Sequence, residues 1–512
     1  MGRTKIPQNE KLAKALQALH KINGSEQGVI RGKQLKQADR EILQKAGFLK
    51  EFLKGWYFLS NPSNESGDNT PFFVNYYEFL SLYLADRFDN NYCLSAEYSL
   101  LFHAQTNVIP QQISVIVNTV NQKIDLYENY SLLVYKIKNI ISDDLKDVVN
   151  GIQCYSAPAA LVSLMSKCYE TQGSEIQIVM NKIDNPMLIA QLIEHNSQGV
   201  SRLIGAYRQI GKHDFADAIL KQLIDLGYRI SEEKNPFDKQ KIVNLNNKKN
   251  ALYSRINLLW DNFRDDIILL KPDVPELLLS EVDYLSSIET IKVNDAYNSL
   301  SIERYKVTPE LIQKIADGSW NLLSDENKQQ RDAMAAKGYL DAFNLVKKHA
   351  NQAYLGQHRA VELFIEEHKN WFTNLFMPSV ESGILSRSDL IGYRRNLVFL
   401  SGSKHVPPHF DHILDGIEAL NDCLLKETDA FVNAVMGHLL VGYIHPFMDG
   451  NGRTARFTMN VMLAEGRYPW TIIPVDMRNE YMLALEKASV DKDIKPFAQF
   501  ISERVESSYD KL

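Results

Sequence analysis

The sequence lacks the features that mark secreted, membrane-spanning or nucleic-acid-coating proteins. Its four cysteines show no C-x-x-C spacing, which excludes the usual zinc and disulfide frameworks. The longest apolar run, residues 430–444, contains Asn433 and His438 and is too short to span a bilayer. The net charge of −6 gives no global nucleic-acid signature. No apolar segment follows the first residues, so we expect a cytoplasmic protein, acting in its own cell or delivered into another. We expect all four cysteines to be buried apolar side chains: Cys93, Cys154, Cys168 and Cys423.

The length of 512 residues is enough for about three domains, and composition divides the chain accordingly. Residues 1–60 show helical apolar spacing followed by a candidate hairpin, which is the order of a winged helix. Residues 71–238 mix helices with strands, predicted at 113–117 and 176–179, and indicate a mixed α/β domain. Residues 251–512 show a long series of helical patterns. The sequence therefore predicts a mainly α protein.

The first 60 residues are basic, which leaves two interpretations open. One is a small helical domain whose charged face is solvated. The other is DNA binding by a recognition element, although acidic residues interleave with the basic ones and weaken the positive field. The candidate DNA-binding residues are Arg31, Lys33, Lys36 and Arg40.

A run of twelve residues, 445–456, concentrates the chemistry of the chain. Helical spacing before it places His445 at a helix end, and the next helix is predicted over 453–463. The loop between them therefore leads into a helix N-terminus, where backbone amides and the helix dipole favour an anion. Gly450 and Gly452 allow a sharp turn and a close backbone approach to a ligand such as a phosphate.

Charged side chains complete this phosphate interpretation. Arg453 and Arg456 lie three residues apart, where their guanidinium groups can hold further phosphate oxygens. Asp449 is placed to bind the Mg²⁺ that usually accompanies phosphates. His445 is a candidate general base.

These twelve residues match the pattern H-P-F-x-D-G-N-G-R-x-x-R at all nine specified positions, and the chain therefore resembles the Fic family of nucleotidyltransferases. The resemblance implies an all-helical core with a small β-hairpin flap. It also implies that ATP is the substrate, that Mg²⁺ is the cofactor, and that AMP is transferred to a Ser, Thr or Tyr hydroxyl of a target protein or of the chain itself. Phosphoryl transfer, as in the Doc branch, is less expected because Gly452 stands where that branch has lysine.

The resemblance assigns roles to individual residues. His445 would deprotonate the hydroxyl, Asp449 would hold Mg²⁺, and Phe447 would anchor the loop. The residues expected to bind the phosphates are Gly450, Asn451, Gly452, Arg453 and Arg456, with Asn451 and Arg453 counted among the catalytic set. Tyr481 and Leu485 match positions that contact adenine, although Ser489 replaces the usual Asn, and both also suit a helical core.

Residues 392–408 interrupt the helical pattern. Strand-forming residues precede a Ser-Gly-Ser-Lys turn, which predicts a hairpin. By resemblance this hairpin is the flap that pairs with the target segment, and the alternative is an ordinary surface hairpin. The flap residues are Leu397, Val398, Phe399 and Leu400.

An inhibitory segment is predicted upstream, near 299–304. Ser299 and Glu303 fit the pattern [S/T]-x-x-x-E-[G/N] of Fic proteins in which the glutamate pairs with the second arginine, here Arg456. Arg304 departs from the usual Gly or Asn, and a left-handed arginine costs on the order of 1 kcal/mol. Either inhibition is retained, or Arg304 has weakened it by ending the helix differently or by pairing with Glu303.

About the first 230 residues resemble the winged-helix antitoxin of abortive infection type IV toxin–antitoxin systems, on the pattern of residues 28–59 and 92–112. This keeps a second function class open, a DNA-binding regulator or antitoxin-like module controlled by a nucleotide-binding core. A third interpretation is removal of AMP at the same site, with Glu303 orienting a water.

Overall fold

The computed structural model describes residues 8–22, 28–60, 70–138, 141–238, 241–243, 250–274, 279–320 and 330–509. The chain divides into two compact units, which we call the front unit and the rear unit. The front unit comprises Met1–Ala251 with Val398–Val406, and the rear unit comprises Leu252–Leu397 with Pro407–Leu512. The boundary at residue 251 is where the sequence predicts its third domain to begin.

The first part of the front unit runs helix, strand, helix, hairpin. The sequence predicts helices followed by a hairpin for residues 1–60, and the strand between the two helices is an addition of the structure. Its sheet has the order β1-β3-β2 and is antiparallel throughout. Gly55, at a φ of +80°, turns the chain between the last two strands. The classification as a winged helix stays a prediction. The elements are α1 (Gln8–Ile22), β1 (Val29–Arg31), α2 (Gln37–Lys45), β2 (Leu49–Leu53) and β3 (Trp56–Leu59).

The rest of the front unit is mixed α/β. A four-stranded sheet has the order β4-β5-β7-β6, with β5 and β7 parallel, and β8 and β9 form a separate hairpin. The elements are α3 (Thr70–Val74), α4 (Tyr76–Phe88), β4 (Tyr92–Leu94), α5 (Ala96–His103), β5 (Gln112–Val117), β6 (Gln122–Asp125), β7 (Ser131–Lys136), β8 (Lys146–Val149), β9 (Ile152–Tyr155), α6 (Ala157–Ser163), α7 (Ser166–Thr171), α8 (Gly173–Lys182), α9 (Met187–Ala190), α10 (Ser197–Gln209) and α11 (His213–Asp225).

The predicted strand at 113–117 is confirmed by β5, whereas the predicted strand at 176–179 is wrong because these residues lie in α8. A short apolar run fits a buried strand and a buried helix equally well. Eight of the ten residues of α8 are buried, so the helix is surrounded and shows no polar face.

One aromatic core crosses the boundary between the first two predicted domains. The Phe52 ring meets Phe79 edge to face at 4.6 Å and Phe72 at 6.0 Å, and Trp56 meets Tyr83 at 5.7 Å. Residues 1–60 and 71–238 therefore share one core, and residues 1–60 also bury a second cluster of their own that includes Ala15, Leu43 and Leu49.

The rear unit is helical, so the predicted mainly α fold is confirmed. None of the helices in the described part of the chain is both long and apolar enough to cross a membrane. The helices are α12 (Ala251–Leu269), α13 (Glu281–Ile302), α14 (Pro309–Ala316), α15 (Gln330–Tyr354), α16 (Ala360–Glu381), α17 (Ile413–Lys426), α18 (Ala430–Ile444), α19 (Asn451–Glu465), α20 (Arg478–Val490) and α21 (Lys495–Tyr509).

Helix α18 lies at the centre of the rear unit. The Asp429 carboxylate caps it by accepting from the N–H groups of Phe431 and Val432 at 2.9 and 3.0 Å. Nearly every side chain of α18 is buried, as expected for a helix that is apolar on all sides. Its C-terminal end delivers His445 to the loop before α19. The four cysteines are buried, as predicted.

Candidate active site

His445 ends helix α18 in a left-handed conformation, with φ 51° and ψ 58°. Its Nδ1 lies 3.3 Å from the Gly442 carbonyl oxygen. A carbonyl only accepts, so Nδ1 carries the proton and Nε2 keeps its lone pair. Burial, reinforced by the charge of Arg394, lowers the pKa of His445 to about 4, so the imidazole is neutral near pH 7. His445 is therefore in the form that a general base requires.

The loop from 446 to 450 is closed by Asn451. Its amide accepts from the Phe447 N–H at 2.9 Å and donates to the Phe447 carbonyl at 2.8 Å. The Phe447 ring stacks on Phe372 at 4.0 Å and anchors the loop in the core. Because both polar ends of the Asn451 side chain bind the loop, its amide shapes the predicted phosphate site from behind.

Two glycines bring the backbone close to the site. Gly450 precedes α19 with a φ of +76°, and a Cβ there would lie 2.8 Å from the Phe376 ring. A Cβ on Gly452 would lie 2.8 Å from the Glu303 carboxylate. The first turn of α19 thus presents backbone N–H groups that have no acceptor within the helix.

Asp449 is the exposed carboxylate of the loop. It accepts from the Gly450 N–H at 2.6 Å and from the Tyr305 hydroxyl at 3.2 Å. The described residues contain no group of three or more acidic, His or Cys side chains that could hold a metal ion. A single carboxylate still suits Mg²⁺, which commonly binds one or two carboxylates and completes its shell with phosphate oxygens and water.

Arg453 and Arg456 are buried at the start of α19. Arg456 donates from Nε to Ser299 Oγ at 2.8 Å and from Nη2 to the Ser299 carbonyl at 3.0 Å. Arg453 is fully buried, and its Nη1 donates to no described group. A buried cationic donor without a partner is costly, which is the condition expected where a ligand supplies the acceptor.

Glu303 lies between the two arginines. Its Oε1 accepts from Arg456 Nη2 at 2.9 Å, and its Oε2 lies 2.7 Å from Arg453 Nε. The second contact is an ion pair without hydrogen-bond alignment, because neither atom has a hydrogen-bond partner. The sequence predicted pairing with Arg456, and the structure adds Arg453.

Arg304 follows Glu303 in a left-handed conformation, with a φ of +66°. The N–H groups of Arg304 and Tyr305 donate to the carbonyls of Ser301 and Leu300, so α13 ends as it would with glycine at this position. Arginine in place of Gly or Asn at position 304 therefore costs conformational free energy but leaves the geometry of the helix end intact. Glu303 stays within reach of both arginines.

Tyr305 was not predicted to be a site residue. Its hydroxyl contacts Asp449 and accepts from Arg453 Nη2 at 3.3 Å, and its ring lies 5.1 Å from the Arg453 guanidinium carbon. The only sequence signal was its position directly after the inhibitory pattern. It links the predicted metal ligand to a predicted phosphate ligand.

Tyr481 and Leu485 lie on α20. The Tyr481 hydroxyl bonds His438 Nε2 at 2.6 Å, and the Tyr481 residue is 2 % exposed. Burial lowers the pKa of His438 to about 3, so this imidazole is neutral. Leu485 is partly buried against the same core. The structure thus places Tyr481 mainly in the core, and adenine contact stays a prediction.

The predicted flap forms no regular strand at 397–400. Residues 401–402 make a turn, and the Ser403 N–H donates to the Leu400 carbonyl at 3.0 Å. An isolated bridge joins His405 to Val108, and the Val406 N–H donates to the Asn107 carbonyl at 2.6 Å. Residues 398–406 therefore pack with the front unit, because their pairing partner comes from a distant part of the sequence.

The candidate DNA-binding residues are mostly engaged within the front unit. Arg31 and Lys33 form ion pairs with Asp86 at 2.5 and 3.2 Å. Arg40 donates to the Gly32 carbonyl at 2.6 Å, whereas Lys36 is exposed before α2. These contacts leave fewer free cations than the sequence suggested.

Comparison with known proteins now adds independent information on this loop. Residues 361–463 match the family model described as Fic/DOC family. This segment carries the Fic pattern. It contains α16, α18 and most of α19, together with all residues of the 445–456 motif. The inhibitory segment and α20 lie outside it.

Relatives align over a similar part of the chain. The protein adenylyltransferase Fic of Drosophila willistoni is 37 % identical over 122 residues, 23 % of this chain and 24 % of the relative. That of Nematostella vectensis is 38 % identical over 122 residues, 23 % of this chain and 28 % of the relative. The chain thus spans about a quarter of the length of the curated relatives it matches.

Solved structures give weaker likenesses. Residues 134–508 of Fic-1 from C. elegans align with a TM-score of 0.38 and 16 % identity, covering 66 % of this chain and 86 % of that chain. A Fic domain containing signaling protein from Bacteroides thetaiotaomicron gives a TM-score of 0.37 and 17 % identity, covering 50 % and 94 %.

Proposed function

We propose that the protein is a protein adenylyltransferase that transfers AMP from ATP to a hydroxyl of a protein. One observation carries the proposal: a neutral imidazole, His445, lies one loop before a helix N-terminus that holds two buried arginines. Base, anion cradle and cations thus occur within twelve residues. The relatives that match the same segment are named protein adenylyltransferases.

The reaction uses His445 Nε2 as the proton acceptor. As the target hydroxyl attacks, its oxygen forms a bond to the α-phosphorus and its proton passes to Nε2. The bond from the α-phosphorus to its bridging oxygen breaks, and pyrophosphate leaves. The backbone N–H groups at the start of α19 stabilise the charge on the phosphates, and Arg453 and Arg456 hold the β and γ groups.

Mg²⁺ fits the site because the Asp449 carboxylate is exposed, and Arg453 Nη1, a buried donor without an acceptor among the described residues, favours the phosphate that accompanies the metal. When bound, Mg²⁺ would neutralise phosphate charge and align the leaving group. Asp449 is the residue that would hold it, and Tyr305 lies against the same carboxylate.

Glu303 makes this enzyme autoinhibited in our proposal. Its carboxylate takes both arginines that the polyphosphate needs, so ATP must displace it or bind without its γ-phosphate in place. The two ion pairs at 2.7 and 2.9 Å support this. Because Arg304 preserves the helix end, we infer that inhibition is retained.

Parallel incubations with α-labelled and γ-labelled ATP test the function. Purified protein, alone and with a lysate, should transfer the α label to protein and release the γ label with pyrophosphate. Transfer of the γ label would indicate phosphoryl transfer and reject the proposal. The His445→Ala variant is the control for background labelling.

A further inference from the structure

Arg394 is a buried arginine that the proposed reaction has not used. It lies between α16 and α17 and is 5 % exposed. Its Nε donates to the His445 carbonyl at 2.8 Å, its Nη1 to the Asn396 carbonyl at 2.8 Å, and its Nη2 to the Pro408 carbonyl at 2.5 Å. Its own N–H donates to the Pro446 carbonyl at 2.9 Å.

These acceptors come from three places in the chain. His445 and Pro446 begin the catalytic loop, whereas Asn396 and Pro408 flank the predicted flap segment on either side. The planar guanidinium offers donors in fixed directions, so it holds all three carbonyls in one relative arrangement. A lysine has a single ammonium and cannot reproduce that fork.

Among the described residues, the hydrogen-bond acceptors of the Arg394 side chain are all neutral carbonyls, and no carboxylate there pairs with its charge. Burial lowers the pKa of Arg394 to about 10, which still leaves it protonated near pH 7. Burying a cation in this way costs stability, and an apolar side chain would fill the space at lower cost. Such a residue is expected where position or charge serves the reaction.

We propose that Arg394 is a positioning residue that fixes the base His445 relative to Asn396 and Pro408 and thereby holds its imidazole in place for the attacking hydroxyl. The inference rests on the proposed function and deepens it. One side chain thus joins the residues on either side of 397–407 to the proton acceptor. The three carbonyl oxygens that this arrangement requires belong to Asn396, Pro408 and His445.

The charge of Arg394 provides a readout that a purely structural role would not move. Two charged groups act on His445: Arg394 lowers its pKa and Asp449 raises it, while the Gly442 carbonyl bonds its ring. Replacing Arg394 by a neutral residue should raise the pKa of His445. Since only neutral His445 accepts a proton, the acid limb of the pH–rate profile should move to higher pH.

The test compares Arg394→Gln, Arg394→Lys and the exposed neighbour substitution Arg395→Gln in a Glu303→Gly background. Arg394→Gln should lower the AMP transfer rate about 10- to 100-fold, as expected for a displaced reacting group, and shift the acid limb upward. Arg394→Lys should lower the rate with the limb unmoved, because it keeps the charge and loses the fork. ATP affinity should stay within about twofold in all three, since the phosphate groups bind at 450–456.

Several outcomes would overturn the proposal. Transfer by Arg394→Gln at the rate of Arg395→Gln would do so, as would an unmoved acid limb in Arg394→Gln. Loss of ATP binding in both Arg394 variants would show a general structural role and reject positioning. If the parent and Arg395→Gln transfer no label, the proposed function fails. The NMR titration of the His445 ring then decides about Arg394, and an equal pKa in parent and Arg394→Gln rejects it.

Discussion

Two helix ends in the rear unit differ in how they are held. Helix α18 ends at His445 and helix α13 ends beside Arg304, and both residues have positive φ angles, 51° and 66°. The loop after His445 is fixed by the Asn451 amide on Phe447, by the Phe447 ring on Phe372, and by the Arg394 guanidinium on the His445 carbonyl. The end of α13 is held at the site by Glu303, through ion pairs with Arg453 and Arg456.

The difference explains which end can move when a ligand binds. A polyphosphate competes for the arginines but has no use for the Asn451 amide or the Phe447 ring. In the proposed mechanism the loop at 445–451 therefore keeps its shape when ATP binds, whereas phosphate replaces Glu303 at Arg453 and Arg456. We infer that the end of α18 stays fixed when ATP binds and that the contacts of Glu303 at the end of α13 are replaced.

Replacing His445 should remove the proposed proton acceptor without moving the end of α18. His445→Asn should lower AMP transfer by about 10²–10⁴-fold, because Asn tolerates the left-handed conformation but accepts no proton. His445→Ala should behave alike at some cost in stability. ATP affinity, measured by calorimetry, should remain near that of the parent. Transfer at the parental rate in either variant would remove His445 from the mechanism.

Removing the ligands of the phosphates should separate ATP binding from the rest of the fold. Arg453→Ala should weaken MgATP binding by at least about tenfold, since a charge-assisted hydrogen bond contributes about 1.5–3 kcal/mol. Asp449→Ala should weaken MgATP binding and leave the affinity for metal-free ATP nearly unchanged. Calorimetric titrations with and without Mg²⁺ measure both. Unchanged affinity in both variants would place the nucleotide elsewhere.

Removing the contacts of Glu303 at the end of α13 should raise AMP transfer. Glu303→Gly removes both ion pairs and should increase AMP incorporation about tenfold, including self-modification, because one charged hydrogen bond to Arg456 is lost. Glu303→Gln is the matched control, since it keeps the shape and loses the charge. Label incorporation under identical ATP concentrations measures the effect. A parent that is already active and indifferent to Glu303→Gly would argue against autoinhibition.

Replacing Arg304 by glycine should have the smallest effect on AMP incorporation, and it should lower incorporation where Glu303→Gly raises it. Arg304→Gly relieves a left-handed conformation that costs on the order of 1 kcal/mol, so the inhibitory helix end should be stabilised. Incorporation should fall about two- to fivefold relative to the parent. Arg304→Ala keeps the strain and removes the charge, which separates the two causes. Higher incorporation by Arg304→Gly would indicate that the arginine itself maintains the inhibition.

The sequence predicted a loop between two helices at 445–450, and the structure has it there because its contacts are local. Asn451 bonds a residue four positions earlier, and Gly450 turns the chain directly before the helix. The predicted pair of Glu303 and Arg456 is also seen in the structure, although the two residues are 153 positions apart. No local pattern predicts such a pair; the prediction rests on the resemblance of residues 299–303 to the inhibitory pattern of Fic proteins.

Other features could not be read from local pattern. The apolar run at 176–179 forms a helix because surrounding elements bury it on all sides, and periodicity cannot separate that case from a buried strand. Residues 397–400 have strand propensity but no partner strand beside them, and the nearby bridge uses Val108. Arg394 gave no signal, since its acceptors are carbonyls, which every residue has.

By itself the sequence determined the chemistry that we propose for this protein: a candidate base, a carboxylate, a glycine turn and two arginines, at spacings that a helix end would convert into a phosphate site. Those choices depend on residue type and on contacts within a few positions. Only the tertiary structure decided that Tyr305 reaches Asp449, that Glu303 pairs with both arginines, and that Arg394 brackets three carbonyls. Such contacts join residues far apart in the chain, and their geometry is fixed by the packing of helices.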